Sequence, residues 1–321
     1  MNYKPILIVS GEPFSVFLEL FFKAKKNNTF KKPIIIITSQ KLLLSQMKRL
    51  NFNFKINLID KNNINFNILN NKKINIIDIN FNFKNSFSKI SDKSNIYLNE
   101  CFKTSLKLLK GKNFSGLING PISKKNFLKE KFLGITEYLS NKTNKENQSA
   151  MLIYNKKLSV SPITTHLPLK EVHKNLSKKK IINHVQIIKK FYKEQFKKNP
   201  KIAITGLNPH CESNYSSSEE DRIIKPAIKY LKQAKIKVSG PFPADTIFLK
   251  DQSDKFDVII GMYHDQVLTP IKTLFGFDAI NITLGLPFIR ISPDHGPNVK
   301  MLGKNLSNPR SLVEAIKFLD K

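Results

Sequence analysis

Short runs of consecutive apolar residues alternate along the chain with longer stretches in which apolar residues recur every three or four positions. The short runs predict β-strands, and because they are continuous they are typical of strands that are covered on both faces. Seven strands are predicted at Ile6–Val9, Ile34–Thr38, Gly116–Asn119, Ala150–Tyr154, Val160–Thr164, Lys201–Thr205 and Asp257–Met262. Strands alternating with helices indicate an α/β fold with a mostly parallel sheet.

Helices are predicted where the apolar spacing is regular. The clearest covers 178–198, and a second covers 219–234, although Pro226 conflicts with a helix interior. Lysines flank His173 and His184 in predicted helices, so we expect both histidines at the surface. The pattern does not predict a definite structure for the segment 51–89. Its Ile and Phe residues could form strands or belong to a looser region.

The charge balance raises the question of nucleic-acid binding. The 321 residues include 54 Lys and Arg against 24 Asp and Glu, a formal net charge of +30. The basic excess is spread along the chain and accompanies an Asn-rich bias, and no recognisable nucleic-acid-binding motif is present. We therefore expect a solvated basic surface that attracts acidic small molecules, and no nucleic-acid partner.

Cysteine content and hydropathy favour a cytoplasmic protein of about two domains. Cys101 and Cys211 cannot form a framework of several disulfides or a structural zinc site. The densest apolar runs, 5–9 and 33–37, are far shorter than the roughly 18 residues of a membrane span. The first run is also too short for the core of a signal peptide.

Three of the six histidines, His166, His210 and His264, follow the ends of predicted strands. Ligands of open α/β sheets bind at the carboxyl ends of strands, so these three imidazoles could converge. Three imidazoles and one open position are typical of a catalytic metal, which acts as a Lewis acid on a substrate oxygen. The alternative for each histidine is a capping or hydrogen-bonding role in its loop.

Two cations and an amide, Lys272, Asn281 and Arg290, interrupt the apolar segment that follows His264. Buried cations need partners, and these three could bind a carboxylate or a phosphate, for which Arg offers bidentate contact. The alternative is an internal salt bridge to a residue such as Asp278. No G-x-G-x-x-G turn follows the first strand, so a dinucleotide would not use the usual Rossmann glycines.

Many short motifs in order resemble the 4-hydroxythreonine-4-phosphate dehydrogenase family of pyridoxal phosphate biosynthesis. These motifs are Gly11–Pro13, Asn119–Lys124, Gly134–Leu139, Thr165–Leu169, Gly206–His210, Gly240–Thr246, Met262–Gln266 and Asn281–Gly296. The resemblance covers nearly the whole chain. It implies a two-lobed α/β/α subunit like the isocitrate and isopropylmalate dehydrogenases, with the active site in the cleft and a homodimer whose sites draw on both chains. The expected lobes are 1–130 with 300–321, and 131–299.

The resemblance also assigns site residues. It implies metal ligands at His166, His210 and His264, with zinc, magnesium or cobalt as the cation. It implies substrate contacts at Thr136, Lys272, Asn281 and Arg290. The loop 294–304 resembles the one that meets the NAD adenosine end, which gives Asp294, Gly296 and Asn298 as cofactor-binding residues, and NAD or NADP as the cofactor.

Several positions depart from the family pattern. Ile135 stands where the family has a substrate-binding histidine, and Val267 stands where it has a glycine. Residues 15–17, 211–215 and 297–300 also differ. We expect Cys211 to fill space as a small apolar side chain, with a fourth metal ligand as the alternative. These departures could shift the preference for substrate or cofactor.

We expect oxidation of 4-phosphohydroxy-L-threonine to 2-amino-3-oxo-4-phosphooxybutanoate, followed by decarboxylation, in pyridoxine 5′-phosphate biosynthesis. Asp245, in a Pro-Ala-Asp-Thr turn, is the candidate for taking a proton or orienting a ligand, unless it merely caps the turn. One alternative is a dehydrogenase of the same fold for a related phosphorylated hydroxy acid. The other is a non-catalytic descendant that binds phosphate or nucleic acid.

Overall fold

The computed structural model of the protein describes residues 3–128, 131–132, 134–146, 148–211, 217–276, 278–293 and 296–321. By packing, the chain divides into two compact units, Met1–Tyr138 with Pro287–Lys321, and Leu139–Leu286. Both units carry mostly parallel strands connected through helices, which confirms the α/β class. The lobe bounds expected from the sequence, 1–130 with 300–321 and 131–299, stay a prediction.

The strands are β1 Ile6–Val9, β2 Ile34–Thr38, β3 Ile56–Leu58, β4 Ile74–Asp78, β5 Gly116–Asn119, β6 Ala150–Tyr154, β7 Ser159–Pro162, β8 Ile202–Thr205, β9 Val238–Phe242, β10 Val258–Gly261, β11 Ile280–Leu284 and β12 Arg290–Ser292. The α-helices are α1 Phe17–Asn27, α2 Gln40–Arg49, α3 Asn95–Leu109, α4 Ile135–Lys142, α5 Leu169–Val172, α6 Lys178–Phe196, α7 Lys225–Gln233, α8 Lys250–Ser253, α9 His264–Phe275 and α10 Arg310–Leu319. Single turns of 3₁₀ or π helix lie at Phe66–Ile68, Asp92–Ser94, Lys124–Leu128, His173–Asn175, Pro209–Cys211, Glu220–Ile224 and Val299–Met301.

The first unit is built on strands in the order β3-β4-β2-β1-β5-β12, and every one of these pairings is parallel. The central strands β1 and β2 are fully buried along their length, as their continuous apolar runs predict. Helices α1 and α10 contact each other in this unit, and both bury their apolar faces.

The second unit has the strand order β11-β6-β7-β10-β8-β9. Strands β7, β10, β8 and β9 run parallel, whereas β6 is antiparallel to both of its neighbours. A core cluster that includes Val160, Ala203 and Ile259 packs against Val267 and Ile271 of α9. Because β7, β10 and β8 are consecutive in the sheet, their carboxyl ends meet at one edge.

Each of the seven strand predictions coincides with an observed strand to within one or two residues. The helix predicted over 178–198 is confirmed as α6. The helix predicted over 219–234 is a π-helical turn, Glu220–Ile224, followed directly by α7, and Pro226 is the second residue of α7.

The expectation that His184 is a surface residue was wrong. His184 is only 6% exposed, and its Nε2 lies 2.6 Å from the Ser161 hydroxyl. Burial, with a smaller contribution from Lys180, lowers the pKa of His184 to about 3, so the imidazole is neutral at physiological pH. Its role is therefore to join α6 to β7. Among the residues described, no helix combines the length and apolar character that a membrane crossing requires.

Candidate functional site

The three candidate metal ligands follow three neighbouring strands of the second unit. His166 lies just beyond β7, His264 opens α9 just beyond β10, and His210 lies beyond β8. Strand β10 is paired in parallel with both β7 and β8, so it is the middle strand of the three. The topology therefore brings the three histidine-bearing loops to the same edge of the sheet.

Two of the histidines lie close together. The ring centroids of His166 and His264 are 5.8 Å apart, with 37° between the ring planes. A metal–nitrogen bond of about 2.0 Å places a ring centre about 3 Å from the ion, so two rings that share an ion lie about 5 to 6 Å apart. His264 Nδ1 also lies 2.6 Å from Asp265 Oδ1, so Nε2 is the ring nitrogen that would face a cation if one binds here.

His210 has an unusual backbone. It is exposed and has a φ of 57°, and the next residue, Cys211, has a φ of 58°. Non-glycine residues in the left-handed region are strained, and such strain is concentrated at functional loops. In the part of the chain that the structure describes, no three His, Cys, Asp or Glu side chains are grouped closely enough to hold a metal ion. The spacing of His166 and His264 is compatible with a shared cation, and the ligand roles of all three histidines stay predictions.

A single buried amide fastens these loops to one another. Gln266 Oε1 accepts hydrogen bonds from the Met262 N–H at 2.7 Å and from the Thr205 hydroxyl at 3.0 Å. Gln266 Nε2 donates to the Gly206 carbonyl at 2.8 Å. The Met262 carbonyl in turn accepts from the Thr164 hydroxyl at 2.7 Å. The loops of His166, His210 and His264 are therefore linked two to four residues before each imidazole, a connection that sequence reasoning missed.

The His210 loop has a second anchor in Glu220, whose side chain is fully buried. Glu220 Oε1 accepts backbone N–H bonds from Leu207 at 2.7 Å and from Asn208 at 2.9 Å. Desolvation would raise the pKa of this carboxyl, but hydrogen bonds from Asn208, Leu207 and its own backbone outweigh burial and lower it. Glu220 therefore stays ionised and holds the loop in its turn.

The candidate proton acceptor, Asp245, is exposed in the turn after β9. Its charge contributes to raising the pKa of the Cys211 thiol, which places the carboxylate near the residue that follows His210. Desolvation is the largest cause of that raised pKa, and Cys211 is 7% exposed. A thiol with a raised pKa is a poor metal ligand, which favours the space-filling interpretation of Cys211.

Arg290, the first residue of β12, is fully buried in the first unit. Its Nε donates to Asn119 Oδ1 at 2.6 Å, and its Nη1 lies 3.4 Å from the Thr136 hydroxyl. Desolvation lowers the pKa of Arg290 to about 9, and the attraction of Glu137 offsets only part of that cost. Asn119 and Thr136 thus hold a buried guanidinium in the first unit, and guanidinium groups bind carboxylates and phosphates with charge-assisted hydrogen bonds.

The other predicted substrate contacts lie in the second unit. Asn281, on β11, has a buried Oδ1 that accepts no hydrogen bond within the described part of the chain. Lys272 is exposed in the last turn of α9. An orphaned buried amide oxygen is costly, and a ligand that donates to it would relieve that cost.

The predicted cofactor loop is only partly described. Asp294 lies outside the described residues. Gly296 and Asn298 are exposed, and Asn298 is left-handed with a φ of 46°. The Pro297 carbonyl accepts a hydrogen bond from the Val16 N–H at 3.2 Å. Two segments that depart from the family pattern, 15–17 and 297–300, are thus in contact.

Glu12, in the Gly-Glu-Pro motif that follows β1, is a buried carboxyl that sequence reasoning quoted without giving it a role. It is 1% exposed, and its Oε1 accepts from the Ser94 hydroxyl at 2.8 Å. Desolvation raises the pKa of Glu12 to about 6, although hydrogen bonds from Ser94 and the Ser123 backbone act in the opposite direction. Its other oxygen, Oε2, is buried with no hydrogen-bond partner among the described residues.

Comparison with known proteins identifies the family. The family model described as pyridoxal phosphate biosynthetic protein PdxA matches residues 29–319. This chain belongs to the PdxA family. A 4-hydroxythreonine-4-phosphate dehydrogenase from Sulfurihydrogenibium sp. is 37% identical over 98% of this chain and 96% of its own. The crystal structure of the Klebsiella pneumoniae 4-hydroxythreonine-4-phosphate dehydrogenase superimposes with a TM-score of 0.85 at 25% identity, covering 98% of both chains.

Relatives of this chain in the PdxA family are named for more than one substrate. A protein from Oceanobacillus iheyensis, provisionally named a D-threonate 4-phosphate dehydrogenase, is 32% identical over 98% of this chain and 97% of its own. Both names describe dehydrogenases of phosphorylated hydroxy acids. Ile135, which departs from the family pattern, is the first residue of α4 and the neighbour of Thr136.

The second departure near the histidines has a structural explanation. Val267 is fully buried in α9 as part of the core cluster, so no glycine-like backbone freedom is needed there. A side chain on Gly261 would meet Val267 Cγ1 at 2.5 Å, so Gly261 provides the space that the larger residue occupies. Val267 therefore packs into the core of the second unit from within α9.

Proposed function

We propose that the protein is an NAD- or NADP-dependent dehydrogenase that oxidises the secondary alcohol of 4-phosphohydroxy-L-threonine to 2-amino-3-oxo-4-phosphooxybutanoate, which then decarboxylates. This reaction would serve pyridoxine 5′-phosphate biosynthesis in the cytoplasm, with a homodimer as the active form. The observation that carries the proposal is the buried guanidinium of Arg290 beside the Thr136 hydroxyl. A relative that matches nearly the whole chain is named for a phosphorylated hydroxy acid, which supports the same substrate class.

In this proposal Arg290, Thr136, Lys272 and Asn281 bind the anionic and polar groups of the substrate. Fixing both ends of the molecule orients the reacting carbon, so its single hydrogen is directed toward the hydride acceptor. Asn281 Oδ1 would accept a hydrogen bond from the substrate, which satisfies its buried oxygen. Arg290, whose side chain is buried, would pair with a phosphate or carboxylate of the substrate.

A divalent cation such as zinc, magnesium or cobalt, held by His166, His210 and His264, would supply Lewis-acid chemistry at the substrate hydroxyl. NAD or NADP, bound near Asp294, Gly296 and Asn298, would accept the hydride from the alcohol carbon. Asp245 would take the hydroxyl proton. In the β-keto acid that results, the electron pair of the breaking carbon–carboxylate bond passes to the ketone, carbon dioxide leaves, and the enolate is protonated at carbon.

The Oceanobacillus relative supports a second candidate, a dehydrogenase for another phosphorylated hydroxy acid. Ile135 cannot replace an imidazole hydrogen bond, and an unpaired buried polar group on the substrate costs about 1 to 3 kcal/mol. The decisive experiment is NADH and NADPH formation with 4-phosphohydroxy-L-threonine and D-threonate 4-phosphate, together with elemental analysis of the purified protein. The Ile135→His variant tests whether an imidazole restores preference for the first acid.

Rapid turnover of D-threonate 4-phosphate without turnover of 4-phosphohydroxy-L-threonine would replace the first proposal with the second. Failure to oxidise either acid, absence of bound metal and steeply salt-dependent polynucleotide binding would instead favour the non-catalytic descendant.

A further inference from the structure

A cavity of about 330 Å³ lies at the amino ends of β2 and β4 in the first unit. Ile34 and Ile74, the first residues of these adjacent parallel strands, both line it. The length of β2 separates this edge of the sheet by about 13 Å from the carboxyl edge, where Asn119 bonds Arg290. Because ligands of open α/β sheets bind at the carboxyl edge, this cavity is distinct from the candidate site.

The floor of the cavity is apolar. Phe21 of α1 and Ile316 of α10 line it together with the two isoleucines, and these four side chains are between 0% and 7% exposed. The half-buried ring of Phe30 borders the same space. An apolar ligand group that covered this floor would gain about 25 cal/mol for each Å² of surface removed from water.

The remaining wall of the cavity is basic. Lys25, Lys72 and Lys73 line it, and none of the described residues that line it is acidic. The Lys25 ammonium donates to the Asn71 carbonyl, which is a neutral partner. Desolvation lowers the pKa of Lys25, and no carboxylate of the described residues counteracts that shift. An anion in the cavity would supply the opposite charge that this ammonium lacks.

The side chain of Asn71 holds the wall in a fixed shape. Its Oδ1 accepts from the Ile34 N–H at 3.0 Å. Its Nδ2 donates to the Phe30 carbonyl at 3.0 Å and to the Lys32 carbonyl at 2.8 Å. The loop before β2 is thus tied to the segment before β4, so the space between them exists without a ligand and its formation costs little on binding.

We propose that this cavity binds a small organic anion with an apolar body. The anionic group contacts Lys25, with Lys72 and Lys73 beside it, and the body rests on the apolar floor. Carboxylates and phosphate esters share this chemistry, and a volume of this size is within the range of small-molecule sites. The inference is independent of the proposed function, because none of the residues that carry it is assigned to the substrate, the cofactor or the metal.

The test measures the dissociation constants of phenyl phosphate, benzoate, inorganic phosphate and benzyl alcohol by titration calorimetry. The first two probes combine a negative charge with an apolar body, whereas inorganic phosphate lacks the body and benzyl alcohol lacks the charge. Each probe is titrated into the wild type, Lys25→Gln and Lys72→Gln. An anion that binds at the substrate site is unaffected by these substitutions, so only binding that depends on the two lysines reports on the cavity.

The matched control is Lys26→Gln. Lys26 is the next residue of α1, is exposed and is not part of the cavity wall. Its Nζ lies 5.9 Å from the centre of the Phe52 ring, the same distance that separates Lys25 Nζ from the centre of the Phe54 ring. The control therefore removes an equal charge and an equivalent aromatic contact.

Lys25→Gln is expected to weaken the binding of phenyl phosphate and benzoate about 10- to 100-fold, the range for a lost hydrogen bond to a charged group. Lys72→Gln, at the exposed rim, should weaken it about 2- to 5-fold, and it decides the question if the first variant does not fold. Lys26→Gln should bind as the wild type does. Inorganic phosphate and benzyl alcohol should bind at least about 10-fold more weakly than phenyl phosphate, because each makes only one of the two kinds of contact.

Unchanged dissociation constants of both aromatic anions in folded Lys25→Gln and Lys72→Gln would overturn the inference. Equal weakening by Lys26→Gln would also overturn it, since that result indicates a general effect of surface charge. Lysine-dependent binding of inorganic phosphate as tight as that of phenyl phosphate would exclude a role for the apolar floor. None of these measurements needs turnover, so the inference is decided even if the proposed function fails.

Discussion

The buried carboxyl of Glu12 gives a stability prediction with a definite sign. Desolvation raises its pKa from 4.5 to about 6 in the folded protein. A difference of about 1.5 pKa units corresponds to about 2 kcal/mol between the two protonation states. Because the folded state binds this proton more tightly than the unfolded state, the contribution of Glu12 is fully present at low pH and is lost as pH rises from about 4.5 through 6.

The perturbation is Glu12→Gln, which preserves shape and removes ionisation. Between pH 4 and pH 8 the wild type should lose about 2 kcal/mol that the variant keeps. For a unit of this size that difference is a relative shift of about 4 to 8 °C in the thermal midpoint. The assay is thermal unfolding followed by circular dichroism at both pH values, with Glu100→Gln, an exposed carboxyl on α3, as the control.

The variant and the wild type should differ more at pH 8 than at pH 4, whatever constant offset the amide introduces. Parallel midpoints at the two pH values would refute the reasoning, because they would mean that Glu12 ionises in the folded protein as it does in water. A direct titration of the Glu12 carboxyl carbon by NMR locates the pKa independently.

Three further outcomes are expected in the second unit. Gln266→Met should weaken zinc binding roughly 10- to 100-fold in a chelator competition, because the amide links the loops that carry the three histidines. The control Gln233→Met, on the exposed face of α7, should leave zinc affinity unchanged. Equal zinc affinities of the two variants would contradict the linking role of Gln266. The pKa of His184 is lowered from 6.5 to about 3, so stability is lost as pH falls below 6.5, by up to about 5 kcal/mol, and His184→Gln should flatten this acid dependence in a denaturation series. Gly206→Ala would place a carbon 2.8 Å from Cys211 Sγ and should cost about 1 to 3 kcal/mol in thermal unfolding, with partial recovery when Cys211→Ala is added.

The strands that could be predicted are those whose burial on both faces leaves an unbroken apolar run. β4 was not predicted, because Asn75 interrupts it and the surrounding segment is rich in asparagine. The structure accommodates Asn75 by bonding its amide to two backbone carbonyls, a solution that depends on distant residues. β12 is only three residues long and begins with a charged residue, so no pattern marks it.

At the candidate site, the position of each histidine after a strand could be predicted, but the strand order could not. The order of strands in the sheet decides which loops are neighbours. Here β10 lies between β7 and β8, an order that follows from tertiary pairing and not from the sequence of any one strand. The signal for His184 was present, since it lies three residues after Ile181 on the buried face of α6. Gln266 and Asn119 were inside quoted motifs, but their roles depend on hydrogen-bond partners far away in sequence.

The discontinuity of the first unit has a consequence for biosynthesis. Its strand β5 is paired with β12, its α1 carboxylate Glu19 accepts the Ser307 N–H, and the Lys32 N–H donates to Asp320. A ribosome completes residues 139–286 before it adds any of these C-terminal partners. The unit that contains the amino terminus therefore finishes folding last, and until then its apolar strand edge is exposed to other nascent chains.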